Sequence, residues 1–394
     1  MVDAFVVFEG PDVFREHAER WDALVTANDA GSLRAGAVDD VLPGFFLRSQ
    51  WLDPWAREGR EDARVFLGVK TSGEEWVAGI PLQLRSGKVG RFQVTKLDFA
   101  GAPWTDSAGI PATGSSAREA AAVDTLRWAR EELSGWTVAD FRELGDGGRS
   151  AEALVAAARE CGLAWERREC SRAPLLNLKA WEEEGRPLSK SLRKQVKRSK
   201  KKLEAAGEVL LEFTIPDSVQ AALLFEEVAE VEGASWKGLE GRSHLAAGAS
   251  TRPFFSALWQ DLAEEGRLAV GACRLDGKMI AFHWGPRSGD RFLSYHLAFR
   301  EEQRQLGAGT VIFQHMVEKA TELGFEWMDA SRGELDAPHL LSRYGGPARS
   351  QEQVLVWAPG LRSTGIRAAR ALRGLIRASK KYRAPTIGRL SLGG

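Results

Sequence analysis

The segment most able to do chemistry is Arg304-Gln305-Leu306-Gly307-Ala308-Gly309. Two glycines stand there between the end of a β-rich run and a helical pattern that Thr310 opens. Glycine lets the backbone curl until successive N–H groups point at one spot, and a helix N-terminus adds roughly half a positive charge. The guest such a turn suits is an anion, a diphosphate above all. Arg142-Glu143-Leu144-Gly145-Asp146-Gly147 repeats the R-x-x-G-x-G spacing. Extra loop residues separate it from its helix, so the anion site is expected at the second turn only. The six histidines, His17, His244, His283, His296, His315 and His339, include no HxxxH or His/Cys cluster with ligand spacing, and no metal is expected. The chain has no GxSxG elbow and no GxxxxGK(S/T) loop, which sets aside serine hydrolases and P-loop NTPases. Cys273 reads as a small buried apolar residue.

The elements that must position the turn surround it. RLAVGACRL, KMIAFHWGP and RFLSYHLAF, separated by Asp276-Gly277 and Ser288-Gly289-Asp290, predict a three-stranded antiparallel meander. A helical pattern, PFFSALWQDLAEEG, precedes it and closes on Gly266; TVIFQHMVEKATELG follows the turn and leads to another apolar run, FEWMDAS. Strand alternation puts Tyr295 and His296 on opposite faces. The N-terminal half carries a fainter copy: SQWLDPWAREGREDARVFLGVKTSGEEWVAGIPLQL runs alongside SALWQDLAEEGRLAVGACRLDGKMIAFHWGP. A diverged duplication follows, with a first domain over 1–185, a second over 186–358 that opens on a basic linker helix at 186–206, and a tail over 359–394.

HLAFREEQRQLGAG, EWMDASRG and SKSLRKQVKRSKKKLEAAGEV resemble the GNAT superfamily of acyl-CoA N-acyltransferases. The match is best to the bacterial cellulose-biosynthesis type with two GNAT-like domains, related to the Fem-type peptidyltransferases. It covers most of the chain and is specific in its second half. The resemblance implies an α/β fold of two tandem GNAT-like domains, each a mixed, mainly antiparallel sheet flanked by helices. It implies acyl-CoA, acetyl-CoA first, as co-substrate between the strand ending at Phe299 and the strand near Met328. The pyrophosphate would lie on Arg304, Gln305, Leu306, Gly307, Ala308, Gly309 and Thr310, and the thioester carbonyl would meet a backbone N–H among Leu297, Ala298 and Phe299.

Attack of an amine on that thioester needs proximity, a base for the amine proton and a partner for the leaving thiolate. His296 is the candidate base, and His283 a second site histidine. Asp329 and Glu334, at and beyond the end of the last apolar run, are carboxylates for proton transfer or amine binding. Tyr344 is a candidate donor to the thiolate. Trp236 and Lys237 resemble an acceptor-side segment. In LDAPHLLSRYGG relatives commonly have a lysine where Arg343 is the nearest cation here; its permanently protonated fork stabilises charge but is no base. The acceptor is expected to be a small-molecule, amino-sugar or peptide amine. Two alternatives stay open: a Fem-type transferase using aminoacyl-tRNA, and a non-catalytic polysaccharide-assembly or membrane-surface protein on a GNAT scaffold.

Composition frames these readings. At 394 residues the chain exceeds the span over which one core grows, so two domains are the first expectation. Hydrophobic residues make up 44% and charged residues 27%, the balance of a folded protein. Three cysteines without a CxxC pair fit a reducing compartment, and the sequence predicts neither a signal peptide nor a membrane span. A cytoplasmic protein is expected. The net charge is zero, but residues 1–185 hold 31 acids and 22 bases, while the remainder holds 23 and 32. Arg186 to Lys202 has nine bases and no acid, and so has Arg362 to Arg389. The first stretch places Leu192, Val196 and Leu203 on one helical stripe behind a Ser189 or Ser191 cap, which reads as a solvated helix or a polyanion contact. The second aligns Ile366, Ala369, Leu372 and Ile376 opposite Arg367, Arg370, Arg377 and Lys381, a helix for packing on the body, on an acidic partner or on the inner, anionic face of a membrane.

Overall fold

The structure, a computed structural model, describes residues 3–34, 44–58, 63–335 and 339–383. Its strands are β1 (Asp3–Glu9), β2 (Arg64–Ser72), β3 (Glu75–Val89), β4 (Phe92–Phe99), β5 (Val138–Leu144), β6 (Ala164–Asn177), β7 (Val209–Thr214), β8 (Leu268–Leu275), β9 (Lys278–Ser288), β10 (Arg291–Leu293), β11 (His296–Phe299), β12 (Trp327–Asp329) and β13 (Ala348–Trp357). They hydrogen-bond along one path, β1-β2-β3-β4-β5-β13-β6-β12-β10-β9-β8-β7, with β11 joined to β9 beside it. Only β4 with β5 and β10 with β12 are parallel along that path. This is the expected α/β architecture, a mixed and mainly antiparallel sheet flanked by helices.

Each half follows the same order. A helix (Ser49–Glu58; Arg252–Glu264) leads into an antiparallel meander (β2-β3-β4; β8-β9-β10), then a helix (Ser115–Glu131; Ala308–Lys319), then a strand parallel to the meander's last one (β5; β12). The closing strands cross over. β13 lies between β5 and β6, and β6 lies between β13 and β12, so one sheet runs through both halves. On one face the helices Ser49–Glu58 and Arg252–Glu264 meet edge-to-face through Trp51 and Phe254, centroids 5.2 Å apart. Their core also takes Trp21, Trp55, Trp259 and Trp284 from both halves. On the other face the helices Ser115–Glu131 and Arg149–Glu160 cover the first half, and Ala308–Lys319 with Lys190–Ala206 covers the second.

The basic stretch forms the helix Lys190–Ala206, capped by Ser189, whose hydroxyl accepts the Leu192 N–H at 3.2 Å. Leu192, Val196 and Leu203 are buried as the stripe predicts, and Ser199 joins them. At the C-terminus the helix Leu361–Arg383 docks its first turns on the sheet. Ile366 is buried with Val138, Leu355 and Trp357, and Arg370 pairs with Glu166 at 3.2 Å. The side chains of Ile376, Arg377 and Lys381 lie outside the described residues. Among the described residues no helix is long and apolar enough to cross a membrane.

Candidate active site

RFLSYHLAF, which reads as one strand, is broken at Ser294-Tyr295 into β10 and β11. β10 stays beside β12 as far as Leu293 opposite Asp329, and the Ser294 N–H donates to the Asp329 carbonyl at 2.7 Å. β11 then leaves β12 and pairs with β9 alone. Gly285 permits the bend, since a Cβ there would run into the Leu293 carbonyl. The Arg300 N–H donates to the Ile280 carbonyl at 2.9 Å in the same ladder. Antiparallel alternation therefore points the N–H and C=O groups of Leu297 and Phe299 away from β9, into the gap left by β12.

The glycine turn borders this gap. A 3₁₀ turn, Glu301–Leu306, ends on Gly307 at φ 73°, and the helix Ala308–Lys319 starts at once. The Gly307 N–H donates to the Arg304 carbonyl and the Thr310 N–H to the Gly307 carbonyl, which leaves the N–H groups of Ala308 and Gly309 open at the helix start. Gly309 packs on Phe299 and Leu297, with room for a Cβ at 3.4 Å from the Phe299 ring. The basic helix lies across the turn: Gly307 faces the Ser199 hydroxyl, Lys202 Nζ donates to the Gln305 carbonyl at 2.8 Å, and Gln195 donates to the Thr310 hydroxyl at 3.2 Å. Between helix and turn runs a groove of about 890 Å³ lined by Lys194, Arg198, Lys202 and Arg304. Only Glu301, paired with Arg304 at 3.1 Å, brings an acid to it.

On the other side a cavity of about 930 Å³ opens where the two halves meet. The second half contributes Trp236, Ser294, Tyr295, Leu297, Arg332 and Glu334, and the first half contributes Asp106 and Cys170. Burial pushes the Asp106 carboxyl up to about 7, against the pull of Arg332 and a 2.7 Å hydrogen bond from the Ser331 hydroxyl. A carboxyl titrating there suits a general base near neutral pH.

The residues singled out from sequence are dispersed around this cavity. Trp236 and Glu334 line it, and Lys237 reaches the open edge of β11, its Nζ 3.2 Å from the Leu297 carbonyl. Burial holds the Lys237 ammonium below its ordinary pKa. Tyr295 takes the cavity side and donates its hydroxyl to the Trp104 carbonyl at 3.0 Å. His296 shares the face of Tyr295, their ring centroids 6.4 Å apart, against the strict alternation read from the sequence, because the strand is broken between β10 and β11. It stacks on Phe282, with Nε2 2.7 Å from Glu232 Oε1. Burial and the neighbouring Lys237 keep His296 below its usual pKa. Glu232 stays ionised because hydrogen bonds from His296, Ser243 and the Leu245 N–H outweigh its burial. The neutral imidazole thus gives its Nε2 proton to Glu232 and has no acceptor nitrogen there.

Ala298 is buried in the core. His283 sits beneath the sheet, stacked on Phe313 and hydrogen-bonded to the Ser294 hydroxyl at 2.8 Å; burial takes it down to about 3. Asp329 is fully buried and forked by Arg349 at 2.9 and 3.2 Å, while its Oδ1 also accepts the Ser331 N–H at 2.7 Å. Its oxygens are committed to structure. Tyr344 is a buried ring between Trp181 and Phe313, its hydroxyl given to Gln314 at 2.8 Å, with Arg343 on the same 3₁₀ turn. Cys273 is buried, its thiol pushed up to about 12. Asp106, Arg332 and Glu232 were not legible as site residues. Arg332 falls inside EWMDASRG, but Asp106 sits in PWTDSAG, whose only signal is that it replaces the compact turn in the first copy.

Comparison with known proteins bears on this geometry. Residues 190–339 match the family described as acetyltransferase (GNAT) domain. The second half carries a GNAT-type transferase domain. No curated protein is found to match the chain. Among solved structures, the C-terminal domain of a putative lysylphosphatidylglycerol synthetase from Agrobacterium fabrum is similar at 15% identity and TM-score 0.50, covering 91% of this chain and 95% of that one. That likeness is one of fold. A tandem GNAT protein from the clavulanic acid biosynthesis pathway aligns at 14% identity and TM-score 0.49, over 91% and 100% of the two chains. FemX aligns at 12% identity and TM-score 0.47, over 78% and 90%.

Proposed function

We propose that the chain transfers an acyl group, acetyl first, from acyl-CoA to an amine held in the cavity between its halves. The observation that supports this most is the parting of β11 from β12 beside a glycine turn that opens a helix. The diphosphate would rest on the N–H groups of Ala308 and Gly309, with Lys194, Arg198, Lys202 and Arg304 around the remaining phosphate charge. A thioester along the open edge of β11 would direct its oxygen at the Leu297 or Phe299 N–H, which gains most as that oxygen becomes an oxyanion.

Asp106 is the base in this reading. The amine nitrogen attacks the thioester carbon, the C–N bond forms as the C–S bond breaks, and the amine proton passes to the Asp106 carboxylate. His296, whose Nε2 proton is held by Glu232, would brace β11 and Lys237 rather than accept that proton. Ser294, on the cavity wall, would hydrogen-bond the leaving thiolate, which takes its proton from solvent.

The test is a thermal-shift series with acetyl-CoA, longer acyl-CoAs and free CoA, with thiol release measured over a panel of amines. Ligand at a hundred times its Kd adds about 2.7 kcal/mol to the native state. Lys202→Glu should remove the shift. That variant is cleaner than one at Gly307, where any side chain would displace Ser199 and the basic helix. No shift with any CoA sinks the acyl-CoA reading. The second reading, an aminoacyl-tRNA donor, draws support from one feature, the long cationic groove of about 890 Å³. A steep fall of donor affinity with salt, reporting many phosphates, would favour it.

A further inference from the structure

The sheet contains two parallel pairs, and the second gap has its own cavity. β4 and β5 stay paired only through Lys96 opposite Val138 and Leu97 opposite Ala139, then part as β10 and β12 do. In open α/β sheets ligands favour the carboxyl ends of parallel strands where neighbours diverge, and β4 with β5 is such a pair locally. At that point lies a cavity of about 190 Å³. It is too small for a nucleotide, and its wall is built of charge.

Three acids line it and each is already matched. Arg85 forks onto Asp98 at 2.6 and 3.0 Å, Lys96 holds Asp140 at 2.5 Å, and Arg332 pairs with Glu143 at 3.1 Å. The fourth cation, Arg142, is exposed at the rim and has no acidic partner among the described residues. The pocket therefore carries one positive charge in excess, on a guanidinium whose fork matches a carboxylate or phosphate. Arg332 lines both this pocket and the reaction cavity, and the adjacent residues Thr105 and Asp106 face one each. A molecule with its acid here has only that shared wall between it and the base.

We propose that the β4/β5 pocket binds the acidic group, a carboxylate or a phosphate, of the molecule whose amine is acylated. The identity of the ligand as acceptor rests on the acyltransferase reading; the anion site itself does not. It is tested by calorimetric titration of the full chain at fixed ionic strength with succinate and with inorganic phosphate, repeated on Arg142→Glu and on Lys202→Glu. Arg142 is exposed, so its reversal leaves the fold intact, which circular dichroism verifies. One of the two anions should bind saturably, at least tenfold more weakly in Arg142→Glu and unchanged in Lys202→Glu. Binding of succinate alone identifies a carboxylate, and of phosphate alone a phosphate. Absence of binding by both, or equal binding by Arg142→Glu, overturns the site; loss only in Lys202→Glu assigns the anion to the basic groove and overturns it too. Acetyl-CoA is titrated alongside. If the anion binds and acetyl-CoA does not, the acyltransferase reading fails while the site stands. If both bind, acidic amines should show a tenfold higher KM in Arg142→Glu with kcat unchanged, and an unchanged KM removes the acceptor assignment.

Discussion

Asp106 and Asp329 show how differently two carboxyls can be used a few residues from one cleft. Asp329 is fully buried, and Arg349 with the Ser331 N–H occupies its oxygens. Breaking a buried pair by removing one partner leaves an uncompensated charge, so Arg349→Met should cost about 3–5 kcal/mol in urea denaturation. The double variant with Asp329→Asn should recover much of that loss, and a double variant no better than the single would show that the pair is not what holds the strand end. Asp106 accepts a hydrogen bond from the Ser331 hydroxyl at 2.7 Å, and among the described residues no arginine forks it. Burial raises it to about 7, so kcat/KM should climb with pH through about 7 and level off above. Asp106→Asn should lower kcat by about 10²- to 10⁴-fold. Stability gives an independent readout. A carboxyl raised in the native state keeps its proton where the unfolded chain has lost it, so its contribution to stability falls as pH rises from about 4 to about 7. Asp106→Asn should therefore be stabilising relative to wild type at pH 8 and close to neutral at pH 4. A constant difference across that range would remove Asp106 as a group of shifted pKa.

The helix Lys190–Ala206 is where charge and packing divide along one element. Its stripe was readable from Leu192, Val196 and Leu203, and its cap from Ser189, because helical spacing and capping are local. The meander, the glycine turn and the helix after it were readable for the same reason. What the spacing does not contain is the neighbour. The basic face turns toward Gly307 and Gln305 because Ser199 fits against a residue without a side chain, a contact between positions more than a hundred apart. The break at Ser294-Tyr295 was hidden likewise, since it depends on Gly285 of the next strand and the Asp329 carbonyl. That break put Tyr295 and His296 on one face of the sheet, where alternation would have parted them. Asp106 came from the other half altogether. A double reversal, Arg198→Glu with Lys202→Glu, should raise the KM for acyl-CoA at least tenfold and leave kcat within about twofold, as expected for groups that bind ground and transition states alike. Stability should change little, because neither residue belongs to the buried stripe. A fall in kcat with KM unchanged would detach the helix from donor binding.

One sheet through both halves makes the molecule less divisible than its duplicated sequence. A cut after residue 185 would leave β6 with neither neighbour, because β13 and β12 both belong to the later part of the chain. The same cut would strip β13 of β5 and β6. Each fragment would then expose long unpaired strand edges, which are templates for aggregation. The shared aromatic core would also be opened, since Trp51 and Phe254 come from opposite sides of the cut. Rings packed in this way contribute about 0.5–1.5 kcal/mol per pair beyond the area they bury. The cavity between the halves, with Asp106 on one side and Leu297 on the other, would cease to exist in either piece. The whole chain should accordingly melt in a single calorimetric transition whose van't Hoff and calorimetric enthalpies agree. Fragments 1–185 and 186–394 should each be insoluble or molten when expressed alone, and should regain the native near-ultraviolet circular dichroism only when refolded together. Two resolved transitions in the intact chain, or a fragment with a cooperative melt of its own, would show that the exchanged strands are an accessory to two self-sufficient domains rather than the structure that joins them.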